Sequence, residues 1–196
     1  MIVLASASQA RQSILQNAGL SFKCQPADID EGQILTSLSA KGTPPQDITL
    51  ELAKQKALHI ASQNPGALII GADQTLVFEN RILTKSKTPE EGLSQLETLS
   101  GKTHTLISAV CIAKDHEILW FHVNQAALTM HDLDKPALIA ITDRDPKALT
   151  SCVGGYRIEG PGAWLFKEID GDLFTIMGLP LPPLLTYLRQ QQGLLP

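Results

Sequence analysis

An apolar run that stops on an acid constrains this chain more than any other stretch. Leu68-Ile69-Ile70 has the character of a strand covered on both faces, Gly71-Ala72 removes side-chain bulk, and Asp73-Gln74-Thr75 follows at once. A buried strand is thereby expected to deliver a carboxylate to its end. An isolated Gly-Ala-Asp can equally open a turn or cap a helix. Here Thr75-Leu76-Val77-Phe78 resumes the strand pattern, so Asp73 falls inside or between strands, where Asp is disfavoured unless something uses it.

Such a strand needs layers to cover it. A chain of 196 residues with 43% hydrophobic content can bury one sizeable core, or two small lobes, without disulfides, and a single α/β domain over residues 1–196 is expected. Cys24, Cys111 and Cys152 are odd in number, widely spaced and outside any zinc pattern, which suits reduced thiols in a cytoplasmic protein. Met-Ile-Val-Leu-Ala begins the sequence without a basic leader, and no apolar run approaches a membrane span, so export and membrane insertion are not expected. A net charge of −4 with no Lys/Arg block argues against a nucleic-acid surface. An anionic ligand must then be met by a local cluster of cations.

Ile2 to Ala5 read as a first strand, Ser6-Ala7-Ser8 as a small-residue loop, and Arg11, Ile14, Leu15 and Ala18 as a helical period closed by Gly19. Arg11 in the first turn opposes the helix dipole. An anion at that helix N-terminus removes the conflict, because backbone N–H groups and the guanidinium would both hold a phosphate; plain capping by Ser8 with Arg11 in solvent is the other reading. Asp28-Ile29-Asp30-Glu31 crowds three carboxylates into four residues, either a solvated loop or hard oxygen ligands for a divalent cation. Residues 31–46 read as a long connection and a candidate lid. A helix over 47–63 carries Lys56 inside its apolar arc, where a lysine snorkels or reaches an anion.

Further on, a hairpin turns near Glu79-Asn80, a helix starts at Thr88-Pro89, and His104–Ala113 and Glu117–Thr129 form an antiparallel ribbon. A helix begins at Asp134 and a short one at Asp145-Pro146. The glycine-rich stretch Cys152–Ala163 matches no P-loop or dinucleotide spacing. Residues 164–169 and 173–177 read as strands, and Leu184–Gln192 as a closing helix.

Leu4-Ala5-Ser6-Ala7-Ser8 with Arg11, Asp28-Ile29-Asp30-Glu31, Leu52-Ala53 with Lys56-Ala57, Gly71-Ala72-Asp73, Lys85, Ser100-Gly101 with Thr103-His104, Gly155-Tyr156, Glu159-Gly160 and Gly178-Leu179-Pro180 fall in the order of the Maf family. The chain resembles that family over nearly its whole length. The resemblance implies an elongated, mixed, twisted sheet with helices around it and two lobes flanking a cleft, as in inosine triphosphatases. It implies a nucleoside triphosphate pyrophosphatase in which water attacks the α-phosphorus, with a divalent metal (Mg or Mn), a cytoplasmic location and a possible homodimer; no nucleic acid and no membrane are expected as partners. Carried onto matching positions, Asp73 would accept the proton of the attacking water, Glu31 and Asp73 would hold the metal, and Ser8, Arg11, Lys56 and Lys85 would bind the triphosphate. Arg11, Lys56 and Lys85 make a strongly cationic site the expectation.

The sequence departs from the family's Ser-Pro-Arg-Arg at Gln9 and Ala10, and from its usual Pro after Lys85 at Ser86. Gln74, Cys152 and Glu159 resemble the branch acting on 7-methyl-GTP rather than the one acting on dTTP and UTP. A carboxylate at Glu159 can accept from guanine N1–H and N2–H together and complements the charge of an N7-methylated base, whereas uracil carbonyls would repel it. Gln74 and Glu159 are thus candidate base contacts. Ala10 matches neither branch. A dTTP/UTP pyrophosphatase, or a non-catalytic nucleotide-binding regulator of cell division, are the alternative readings.

Overall fold

The computed structural model describes residues 1–192. Strand β1 (Ile2–Leu4) pairs in parallel with β2 (Lys23–Cys24) and with β3 (Leu68–Phe78), Ile2 opposite Leu68 and Leu4 opposite Ile70. Strand β4 (Arg81–Leu83) returns antiparallel on β3 through Glu79 and Asn80, both at positive φ, which matches a tight hairpin turn. With β5 (Thr103–Lys114), β6 (Glu117–Met130) and β7 (Phe166–Asp170), the sheet has seven strands in the order β2-β1-β3-β5-β6-β7, β4 lying off that path. Parallel and antiparallel pairs in one sheet, with helices along the chain, give the expected mixed α/β architecture.

Contacts group the residues into two units whose segments alternate along the sequence. The first comprises Met1–Asp73, Ser108–Asn124 and the chain from Gly178; the second comprises Gln74–Ile107 and Gln125–Met177. The first is cored by Val3, Ala5, Ile69, Ala109 and Cys111 against Ala53, Ala57 and Ile60 of helix α3 (Pro45–Ala61). Small residues dominate this interface, so helix and strand backbones approach closely. The second packs Leu76, Leu106, Leu128 and Met130 against Leu96 and Leu99 of helix α4 (Pro89–Leu99) and Leu138 of helix α5 (Lys135–Thr142). Among the described residues no helix is long and apolar enough to cross a membrane.

Four local expectations change. Asp73 lies within an unbroken eleven-residue β3 rather than at a strand end. Residues 31–40, read as part of a long connection, form helix α2 (Glu31–Ala40), started by the Asp30 side chain accepting from the Gln33 N–H at 2.8 Å. The apolar run after Asp172 is helix α7 (Leu173–Ile176), not a strand, because Asp172 accepts from the Thr175 N–H at 2.9 Å and starts a turn there. Strand β7 likewise begins only at Phe166, after a 3₁₀ turn over Pro161–Leu165. Helix α1 (Gln9–Asn17) falls where the sequence put it, whereas α6 (Ala148–Ser151) begins at Ala148 rather than at Asp145-Pro146 and α8 (Leu181–Gln192) begins at Leu181 rather than Leu184.

His104 is enclosed in the second unit, its Nε2 2.7 Å from the Tyr156 hydroxyl and its ring beside Phe166, while Nδ1 has no hydrogen-bond partner among the described residues. Burial lowers its pKa from 6.5 to about 4. Between those values the unfolded chain binds a proton that the fold refuses, so stability rises with pH across the window and is fully present above 6.5. Denaturant titrations from pH 7 down to pH 4 should show a loss on the order of 3 kcal/mol from this group. His104→Phe should flatten that part of the curve; an unchanged slope would contradict the assignment.

Candidate active site

Gly71 sets the geometry around Asp73. A Cβ there would lie 2.3 Å from the Ala53 carbonyl oxygen, 2.6 Å from Ala57 Cβ and 3.0 Å from Cys111 Sγ, so α3 rests directly on the backbone of β3. Lys56, on the buried face of α3, then reaches the strand two residues further on. Its Nζ lies 2.5 Å from Asp73 Oδ1 and 2.9 Å from Glu31 Oε2. Asp73 and Lys56 are buried, while Glu31, the first residue of α2, is exposed. Lys56 therefore reaches anions rather than snorkelling to solvent, and the anions are two carboxylates of the same chain.

Burial pushes the Asp73 carboxyl above its ordinary value; the charges of Lys56 and Arg11 and the Lys56 hydrogen bond pull it back, and Glu31 adds to the rise. Two cations face two carboxylates here. This part of the site is close to charge-balanced, where a strongly cationic pocket was expected.

The β1–α1 loop supplies the second cation. Ser8 caps α1, its Oγ accepting from the Arg11 N–H at 3.4 Å, as the sequence suggested. Arg11 does not point into solvent. Its Nε donates to the Gly178 carbonyl at 2.8 Å, and its Nη1 donates to the Ala72 carbonyl at 2.9 Å and to Ser6 Oγ at 3.1 Å. Burial lowers the guanidinium's pKa, and the charges of Asp73 and Glu31 oppose that shift. The conflict with the helix dipole is met by these acceptors rather than by solvent. Ser6 and the carbonyls of Ala72 and Gly178 were not singled out as site groups from sequence. Ser6 stood in the Ser-Ala-Ser loop, but a backbone carbonyl has no signature in a sequence.

The remaining candidates belong to the second unit. Gln74 follows Asp73 in β3, and its amide nitrogen donates to the carbonyls of Thr175 at 3.1 Å and Ile176 at 2.8 Å. These two contacts tie the strand to helix α7. Lys85 is exposed just beyond β4. Glu159 is exposed on a loop whose base is fixed: Tyr156 is buried and bonded to His104, Gly154 at φ 81 packs against Leu76, and a Cβ at Gly162 would lie 2.5 Å from the Arg157 carbonyl oxygen.

Among the described residues no group of three or more His, Cys, Asp and Glu gathers as a metal cluster. Glu31 and Asp73 nevertheless present two hard oxygen donors around one ammonium. That set fits Mg or Mn, which take one or two protein carboxylates and complete their shell with phosphate and water.

A sequence model of the Maf-like protein family matches residues 1–191. The chain is 46% identical to a 7-methyl-GTP pyrophosphatase of Brucella abortus, over 97% of this chain and 96% of that protein. It is 44% identical to a nucleoside triphosphate pyrophosphatase of Rhodopseudomonas palustris, over 97% and 94% of the two chains. Among solved structures, a HAM1 protein from Coxiella burnetii matches with a TM-score of 0.45 and 20% identity, over 67% of this chain and 73% of that one. On the full-length match to the family and to relatives at this identity, the chain belongs to the Maf-like protein family.

Proposed function

We propose that this protein is a nucleoside triphosphate pyrophosphatase that prefers 7-methyl-GTP. The observation that carries the reading is the buried Asp73 carboxylate, held mid-strand against Lys56 with Glu31 as second acid. Water adds to the α-phosphorus as the bond to the bridging oxygen of pyrophosphate breaks, and the proton released by the water goes to Asp73. A carboxylate whose pKa is raised by burial is a better proton acceptor near neutral pH than an ordinary one. Ser8 retains its hydroxyl proton for a phosphate oxygen, and Lys56 and Lys85 supply positive charge to the triphosphate. Glu31 and Asp73 would hold the divalent ion, which when bound neutralises charge on the phosphate oxygens.

Base preference is assigned to Glu159, whose carboxylate suits guanine N1–H and N2–H and the cationic 7-methylated ring. The relatives named 7-methyl-GTP pyrophosphatase support the same preference. Pyrophosphate release should be measured from 7-methyl-GTP, GTP, dTTP and UTP with magnesium, manganese or cobalt. The expected order puts 7-methyl-GTP first and shows no turnover in chelator. Faster turnover of UTP or dTTP would assign the pyrimidine reading instead. Glu159→Gln should lower kcat/KM for 7-methyl-GTP by about 10-fold or more relative to UTP, since a lost polar match discriminates strongly. An equal loss for both would remove Glu159 from base selection.

A further inference from the structure

We propose that Arg11 is a positioning residue that fixes the backbone at Asp73, and that it is not a ligand of the triphosphate. This rests on the reading of Asp73 as proton acceptor. A guanidinium has five N–H donors, and it grips a phosphate by presenting two of them in parallel from adjacent nitrogens. Three of the five are already directed at protein oxygens: Nε at Gly178, and both hydrogens of Nη1 at Ala72 and Ser6. Each pair of adjacent nitrogens includes one of these occupied groups. Among the described residues only Nη2 has no such oxygen, and a single nitrogen makes no fork.

The acceptors explain what the residue does instead. Ala72 is the residue before Asp73, Ser6 lies in the loop after β1, and Gly178 opens the last segment of the first unit. One buried cation therefore ties three distant segments together at the carbonyl that precedes the catalytic carboxylate. A free, mobile phosphate-binding arginine would not be expected to be 8% exposed with those partners.

The test uses Arg11→Lys and Ser6→Ala. Lysine keeps the charge but has one nitrogen, which cannot span the three acceptors; alanine at position 6 keeps Arg11 and removes one acceptor. For each variant kcat and KM are measured with the preferred triphosphate, and Kd with its α,β-methylene analogue by calorimetry. Positioning predicts that kcat falls about 10- to 100-fold in Arg11→Lys and less in Ser6→Ala, with Kd within about 2-fold of the parent in both. A raised Kd with kcat kept in Arg11→Lys would make Arg11 a phosphate ligand and overturn the proposal. If Arg11→Lys does not fold, Ser6→Ala decides, and an unchanged kcat there overturns it. Failure of the base reading is separate: it would appear as turnover by Asp73→Asn.

Discussion

Asp73→Asn should lower pyrophosphate release by ~10²-fold or more while leaving nucleotide binding largely intact. Asparagine keeps the shape of the side chain and can still place an oxygen toward Lys56 Nζ, but it has no lone pair basic enough to take a proton from water. The fold should tolerate the change. Burial already opposes the charge of this carboxylate, and Lys56 retains Glu31 as a partner at 2.9 Å. Single-turnover release of pyrophosphate measures the chemical step, and calorimetry with the α,β-methylene analogue measures binding. Turnover equal to that of the parent would sink the assignment of Asp73 as base.

A second large effect is expected from Gly71→Val. The valine Cβ would lie 2.3 Å from a backbone carbonyl of α3, and backbone cannot swing aside as the end of a flexible side chain can. The helix must move off the strand, which should cost about 1–3 kcal/mol or more by overpacking. The same movement withdraws Lys56 from Asp73, because the lysine's position is set by the closeness of Ala53 and Ala57 to the strand. A displacement near 1 Å can reduce a rate about 10²-fold, so activity should fall even in the fraction that remains folded. Thermal unfolding and the rate per folded molecule are the two readouts. A stable variant with full activity would show that the contact between α3 and β3 is not what aligns the pair.

Much of the fold was legible because its signals are local. Ser8, Thr88 and Asp134 cap helices, Glu79-Asn80 turns a hairpin, and the apolar arc of residues 47–63 predicted α3 to within two residues at either end. What was misread had competing local signals. The run Leu173-Phe174-Thr175-Ile176-Met177 is too short for periodicity to separate strand from helix, and the cap at Asp172 decides in favour of helix. In α2 the Ser, Thr and Gly content obscured the spacing of Ile34, Leu35 and Leu38, although Asp30 with Gln33 three residues later has the form of a helix start. The placement of Lys56 on the buried face of α3 was legible in its spacing, but its pairing with Asp73 and Glu31 of the same chain was not. The occupation of Arg11 was not, since two of its three acceptors are main-chain oxygens brought from elsewhere in the sequence.

The two ends of the sheet's strand order bear on how the protein behaves when crowded. Strand β2 is only two residues long, and β7 carries Lys167, Glu168 and Asp170, all exposed, along a strand that pairs with β6 on one side. An incoming chain seeking to add itself to the sheet would meet too few free amides at one end and a row of mixed charge at the other. Strand addition at β2 and at β7 is thereby discouraged.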